Sequence, residues 1–134
     1  MFRQELAYPR LWVITWGVMI VIVIVGSMMP ANDIPVPMAH GVDKIVHAMG
    51  YAVLAGMASS VFAGRARLIV LLALLLLGGV IEIAQGALTA SRSADLLDFA
   101  ANSLGVLAGG VAFKRAGPRL LAVLERQFGL ARVR

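Results

Sequence analysis

Hydrophobic residues along this chain fall into four long runs, separated by short polar or basic stretches. The first, residues 11–29, contains no charged side chain over nineteen positions. At about 1.5 Å per helical residue it is long enough to cross a bilayer. It is longer than a usual signal-peptide core and no A-x-A cleavage site follows, so an uncleaved anchor is expected. Residues 30–44 contain Pro30, Pro35 and Pro37 and read as an extended polar connection, with His40 solvated within it. Further spans are predicted over about 45–63, 68–90 and 94–113, joined by a basic turn at 64–67 and a short link at 91–93. Residues 114–134 form a basic tail, in which Leu121, Leu124 and Phe128 share a face and suggest an amphipathic helix lying on an anionic leaflet.

Each later run turns one polar stripe to a side. The second carries Lys44, His47 and Tyr51 at i, i+3 and i+7, with Asp43 just ahead. The third carries Gly78, Glu82, Gln85 and Thr89 at i, i+4, i+7 and i+11. The fourth carries Asp95, Asp98 and Asn102, continuing through Gly105 and Gly109, with Arg92 just before it. Ionisable groups in hydrocarbon are costly unless they face protein, water or a partner, so these stripes are expected to face one another.

Composition sharpens this picture. The chain is 60% hydrophobic and 14% charged, with mean hydropathy +0.89, too apolar for a soluble domain of 134 residues. Its length fits one domain, residues 1–134, and the absence of Cys removes thiolate chemistry. A net charge of +5 is compatible with nucleic-acid binding, but the cations sit at the edges of the spans. Ten of the twelve Lys and Arg residues lie in the N-terminal lead, the 64–67 turn and the tail, so these segments are expected to be cytoplasmic. The expected fold is therefore an all-α integral membrane bundle of four transmembrane helices, with both termini cytoplasmic and a short amphipathic tail. Its polar stripes would meet near the extracytoplasmic side.

The order D-K-x-x-H, E-x-x-Q and R-x-x-D-x-x-D-x-x-x-N-x-x-G spans about residues 43–110. It is carried by Asp43, Lys44, His47, Tyr51, Leu54, Glu82, Gln85, Arg92, Asp95, Asp98, Asn102 and Gly105. This pattern resembles the VanZ-like family of small bacterial membrane proteins. The resemblance implies a multi-pass protein of the bacterial inner membrane and a cell-envelope context linked to glycopeptide antibiotic tolerance.

The candidate binding residues are Asp43, Lys44, His47, Tyr51, Glu82, Gln85, Arg92, Asp95, Asp98 and Asn102. His47, Glu82 and Asp98 are the candidates for acid–base chemistry. Lys44 and Arg92 are expected to meet a lipid phosphate, with the carboxylates holding protons or sugar hydroxyls. There is no HExxH motif and only one well-placed His, so neither a metal centre nor a cofactor is implied. Membrane lipids, a lipid-linked envelope precursor or a glycopeptide are the expected partners, with no nucleic acid. The glycines at 105 and 109 permit close helix approach, within the bundle or in a homo-oligomer. Three readings remain: a binding or transport protein for an amphiphilic envelope component, an intramembrane hydrolase or transferase of lipid-linked substrates, and an assembly partner with a packing-only polar core.

Overall fold

The computed structural model describes residues 1–29, 41–88 and 95–130. They form four helices: α1 (Pro9–Met28), α2 (Val42–Val61), α3 (Gly64–Leu88) and α4 (Leu96–Gln127). Helices α1, α3 and α4 are long and apolar enough to cross a membrane. Ile14, Ile22, Leu76 and Ile83 are more than half exposed on α1 and α3. Apolar surface of that extent suits lipid better than water.

Helix α2 is the less apolar centre of the molecule. It packs most extensively against α4, and the two run in the same direction. Ala48, Ala52, Gly56 and Ser60 of α2, spaced four apart, face Gly105, Gly109, Phe113 and Gly117 of α4. A Cβ on Gly105 would run into the carbonyl oxygen of Ala48, and one on Gly109 into that of Ala52. At the third level the roles reverse: the Phe113 ring lies over Gly56, where a Cβ would come within 2.9 Å of it. The glycine face of α4 is thus covered by α2 of the same chain.

Below this zipper, Tyr51, Leu54, Ala55, Leu74 and Val106 form one core cluster, and Leu6, Ala58, Val61, Phe62 and Leu121 a second. Trp16 packs against both and donates its indole N–H to the Leu54 carbonyl at 3.0 Å.

Three boundaries differ from the sequence expectation. The reversal after α2 falls at residues 62–63, and α3 begins at Gly64, which adopts φ +53°, a left-handed conformation that glycine tolerates. Arg65 and Arg67 therefore lie on α3, where Arg67 donates to the Gly110 carbonyl at 3.1 Å. The N-terminal lead docks into the bundle. Phe2 pairs with Phe62, and the Arg3 backbone N–H donates to Val61 at 2.9 Å. The tail is not a separate surface helix, because α4 continues through Pro118 to Gln127.

Two contacts explain that continuation. Proline has no N–H, so Pro118 leaves the carbonyl four residues earlier, Lys114, without its helical donor. Arg3 supplies one from its guanidinium at 2.7 Å. Two turns beyond Pro118, the buried Glu125 carboxylate accepts the N–H groups of Ala7 at 2.8 Å, Tyr8 at 2.9 Å and the Trp12 indole at 2.9 Å. Leu121 and Leu124 accordingly face protein, while Phe128 stays exposed. Arg132 and Arg134 lie outside the described residues.

Candidate functional site

The polar stripes meet where α2 and α4 begin and α3 ends. Asp95 caps α4, its Oδ1 accepting the Leu97 N–H at 2.8 Å. That cap sets the phase of the helix, so Asp98 and Asn102 follow on the face toward α2. Lys44, in the first turn of α2, reaches across to both acids. Its Nζ lies 2.7 Å from Asp95 Oδ2, 2.7 Å from Asp98 Oδ1 and 3.1 Å from Asp43 Oδ2. An ammonium has three donors, and three carboxylates take them.

Deeper in the bundle, His47 Nδ1 lies 3.1 Å from Asn102 Oδ1 and 3.8 Å from Glu82 Oε1. The other oxygen of Glu82 accepts the backbone N–H of Asp95 at 3.4 Å. Gly78, one turn earlier on α3, makes room for the next layer. A Cβ there would stand 3.4 Å from Asn102 and 3.5 Å from the Tyr51 ring. Glu82, Asn102 and Tyr51 are buried, at 4%, 1% and 1% exposure. Among the described residues, Glu82 Oε1, Asn102 Nδ2 and the Tyr51 hydroxyl have no hydrogen-bond partner. Polar atoms so deeply enclosed usually have one.

At the mouth of the cluster, ahead of the apolar stretches, the ion pairs set the charge states. The Lys44 ammonium, and then the Leu97 N–H, hold the Asp95 carboxyl below its usual range. Lys44 does the same to Asp43. In return Asp95 and then Asp98 push the Lys44 ammonium above its ordinary value.

Asp43, Lys44, His47, Tyr51, Glu82, Asp95, Asp98 and Asn102 are thus gathered at one end of the bundle, supplied by three helices. Gln85 turns elsewhere: its Nε2 donates to the Ser27 carbonyl at 2.7 Å and ties α3 to the end of α1. Arg92 and Thr89 lie outside the described residues, as do His40 and the prolines of 30–40. The anion-contact role expected of Lys44 does not fit the geometry, since its donors are already taken by carboxylates.

His47, Glu82 and Asp98 each offer a ligand atom, and the three atoms lie within 4.8 Å of one another. Their spacing along the chain gives no motif, because each comes from a different helix. Glu125, the buried carboxylate at the opposite end, is another residue that the sequence did not single out. In a basic tail beside Arg126 it looks like an ordinary surface counter-charge.

Beside the polar cluster an apolar groove of about 420 Å³ runs between α1 and α2. Met19, Ile22, Val23, Val46, Met49 and Leu54 line it. The chain matches no protein-family model, no curated protein and no solved structure.

Proposed function

We propose that this chain is a four-span protein of the bacterial inner membrane, VanZ-like in character, that binds or moves an amphiphilic envelope component. In this reading residues 45–61 of α2 form the fourth span, in contact with the other three helices. Both termini face the cytoplasm, as the distribution of Lys and Arg favours. The polar cluster then lies near the extracytoplasmic surface.

The observation that carries the reading is the set of buried polar atoms that make no hydrogen bond among the described residues, Tyr51 Oη, Glu82 Oε1 and Asn102 Nδ2, behind the Lys44 ion-pair cluster. A polar core built only for packing would satisfy such atoms internally. With Lys44 engaged, the remaining chemistry joins an acceptor, Glu82 Oε1, to the donors of Asn102 Nδ2 and the Tyr51 hydroxyl. The head group that suits it bears hydroxyls, which both donate and accept, as in a lipid-linked sugar. The groove between α1 and α2 begins at Val46, beside His47, and offers an apolar path for the chain of the same molecule.

A second reading, an intramembrane hydrolase or transferase, draws on the approach of His47 to Glu82 and Asp98. His47 would act as base and a carboxyl as acid. Turnover of labelled lipid-linked substrate by pure protein would favour it over binding.

Native mass spectrometry of protein extracted in mild detergent tests the first reading. The wild type is expected to retain an envelope lipid with a donor-bearing head group. Glu82→Gln and Asp98→Asn are expected to lose most of it while remaining folded. Bare wild-type protein, or equal retention by folded variants, contradicts the proposal.

A further inference from the structure

The geometry points to a divalent first-row metal site, for an ion such as Zn²⁺ or Mn²⁺, formed by one ring nitrogen of His47 and one carboxylate oxygen each of Glu82 and Asp98. It uses the pocket of the proposed function without depending on that pocket's lipid ligand.

Four features support it. The ligand atoms already lie within 4.8 Å of one another, with His47 Nδ1 and Glu82 Oε1 3.8 Å apart. Donors about 2.1 Å from a shared ion stand roughly 3–3.5 Å from each other, so small side-chain rotations close the set.

Next, Glu82 Oε1 is buried and accepts no hydrogen bond among the described residues, although its sister oxygen is held by the Asp95 N–H. One oxygen is anchored and the other is presented toward His47. Asp98 is arranged alike, since Lys44 takes only Oδ1 and a carboxylate has a second oxygen.

The third feature is the outer layer. Ligating carboxylates are ordinarily held through the oxygen that the metal does not take, and the Asp95 N–H and Lys44 hold Glu82 and Asp98 in this manner.

Charge is the last. Among the described residues, Asp43, Asp95 and Asp98 share one ammonium, Lys44, while Glu82 lies beside His47, and a divalent cation offsets the excess of carboxylates. One imidazole with two carboxylates is a donor set of intermediate hardness, suited to zinc or manganese. Three protein ligands leave further positions for water or an oxygen of a bound molecule.

The test is equilibrium dialysis of chelator-stripped, detergent-purified protein against ZnCl₂ and, separately, MnCl₂, with bound metal counted by mass spectrometry. The wild type is expected to saturate at about one ion per chain with at least one of the two metals. Glu82→Gln and Asp98→Asn should each weaken binding about tenfold or more, whereas Asp43→Asn should change it by less than about threefold. Metal should also raise the melting temperature of the wild type, but not that of Glu82→Gln. His47→Gln serves if a carboxylate variant does not fold. Absence of saturable binding of either ion by the wild type overturns the site. So does equal weakening by Asp43→Asn, which would indicate only diffuse acidic attraction. Lipid retention without metal binding sinks this inference alone, and metal binding without lipid retention sinks only the functional reading.

Discussion

Gly109 stands so close to Ala52 that a single added methyl would occupy the position of the Ala52 carbonyl oxygen. Four residues earlier, Gly105 meets Ala48 in the same way. This contact brings the start of α4 near enough to α2 for Lys44 to span the gap to Asp98. In lipid, where apolar side chains gain little by leaving solvent, such close packing is a main source of helix association. The polar site and the glycine seam are one construction.

Gly109→Ala is therefore expected to destabilise the bundle by about 1–3 kcal/mol, the usual scale of overpacking. Gly50→Ala, where a Cβ would meet nothing within 4 Å, should be neutral or slightly stabilising. Thermal unfolding in detergent distinguishes the two. Equal effects would remove the seam from the account.

Replacing Lys44 with Met leaves three carboxylates facing one another without their shared cation. The Asp98 side chain is only 14% exposed, so the loss should exceed that of a surface pair, at about 1–3 kcal/mol. Adding Asp98→Asn should recover part of it. A double-mutant cycle measures the coupling, and strict additivity would deny the contact.

The same cluster fixes a pH dependence. Asp95 and Asp43 are held below the ordinary value of 3.8, so their contribution is complete above that value and is lost as the pH falls through their folded values. Lys44 is held above 10.5, so its contribution is complete below that value and is lost as the pH rises through its folded value. Melting temperatures should show an acid-side drop below about pH 4 that is smaller in Lys44→Met. An identical acid limb in both proteins would contradict the assignment.

At the opposite end, Glu125→Ala removes the acceptor of three N–H groups. Hydrogen bonds to a charged group contribute about 1.5–3 kcal/mol each, so the N-terminal lead should come free. Tryptic cleavage at Arg3 and Arg10 should quicken and Trp12 fluorescence should shift. Protection equal to the wild type would show that the lead is held by other contacts.

Hydrophobic runs and polar spacing made much of this legible. All four helices overlap the predicted spans, although α4 runs on through most of the predicted tail, and the stripe residues Lys44, His47, Glu82, Asp95, Asp98 and Asn102 share one end. Periodicity fixes which face of a helix a residue occupies, and ionisable groups in apolar segments have few places to go. It does not say which neighbour that face meets. Gln85 belongs to the same stripe as Glu82 yet bonds to Ser27 on α1. The glycine face is matched by Ala48, Ala52 and Ser60, whose smallness stands out only once α4 lies beside them. Likewise the tail reads as a surface helix until Arg3 and Glu125 link it to the N-terminal lead, more than a hundred residues away.

The central claim is that the buried polar atoms behind Lys44 receive a ligand. A crystal structure of the protein grown from a lipidic mesophase supplemented with native membrane extract tests it most directly. The account predicts density for an ion or a head group within bonding distance of Glu82 Oε1. Glu82 Oε1, the Tyr51 hydroxyl and Asn102 Nδ2 all satisfied by protein atoms alone, with no such density, would contradict it.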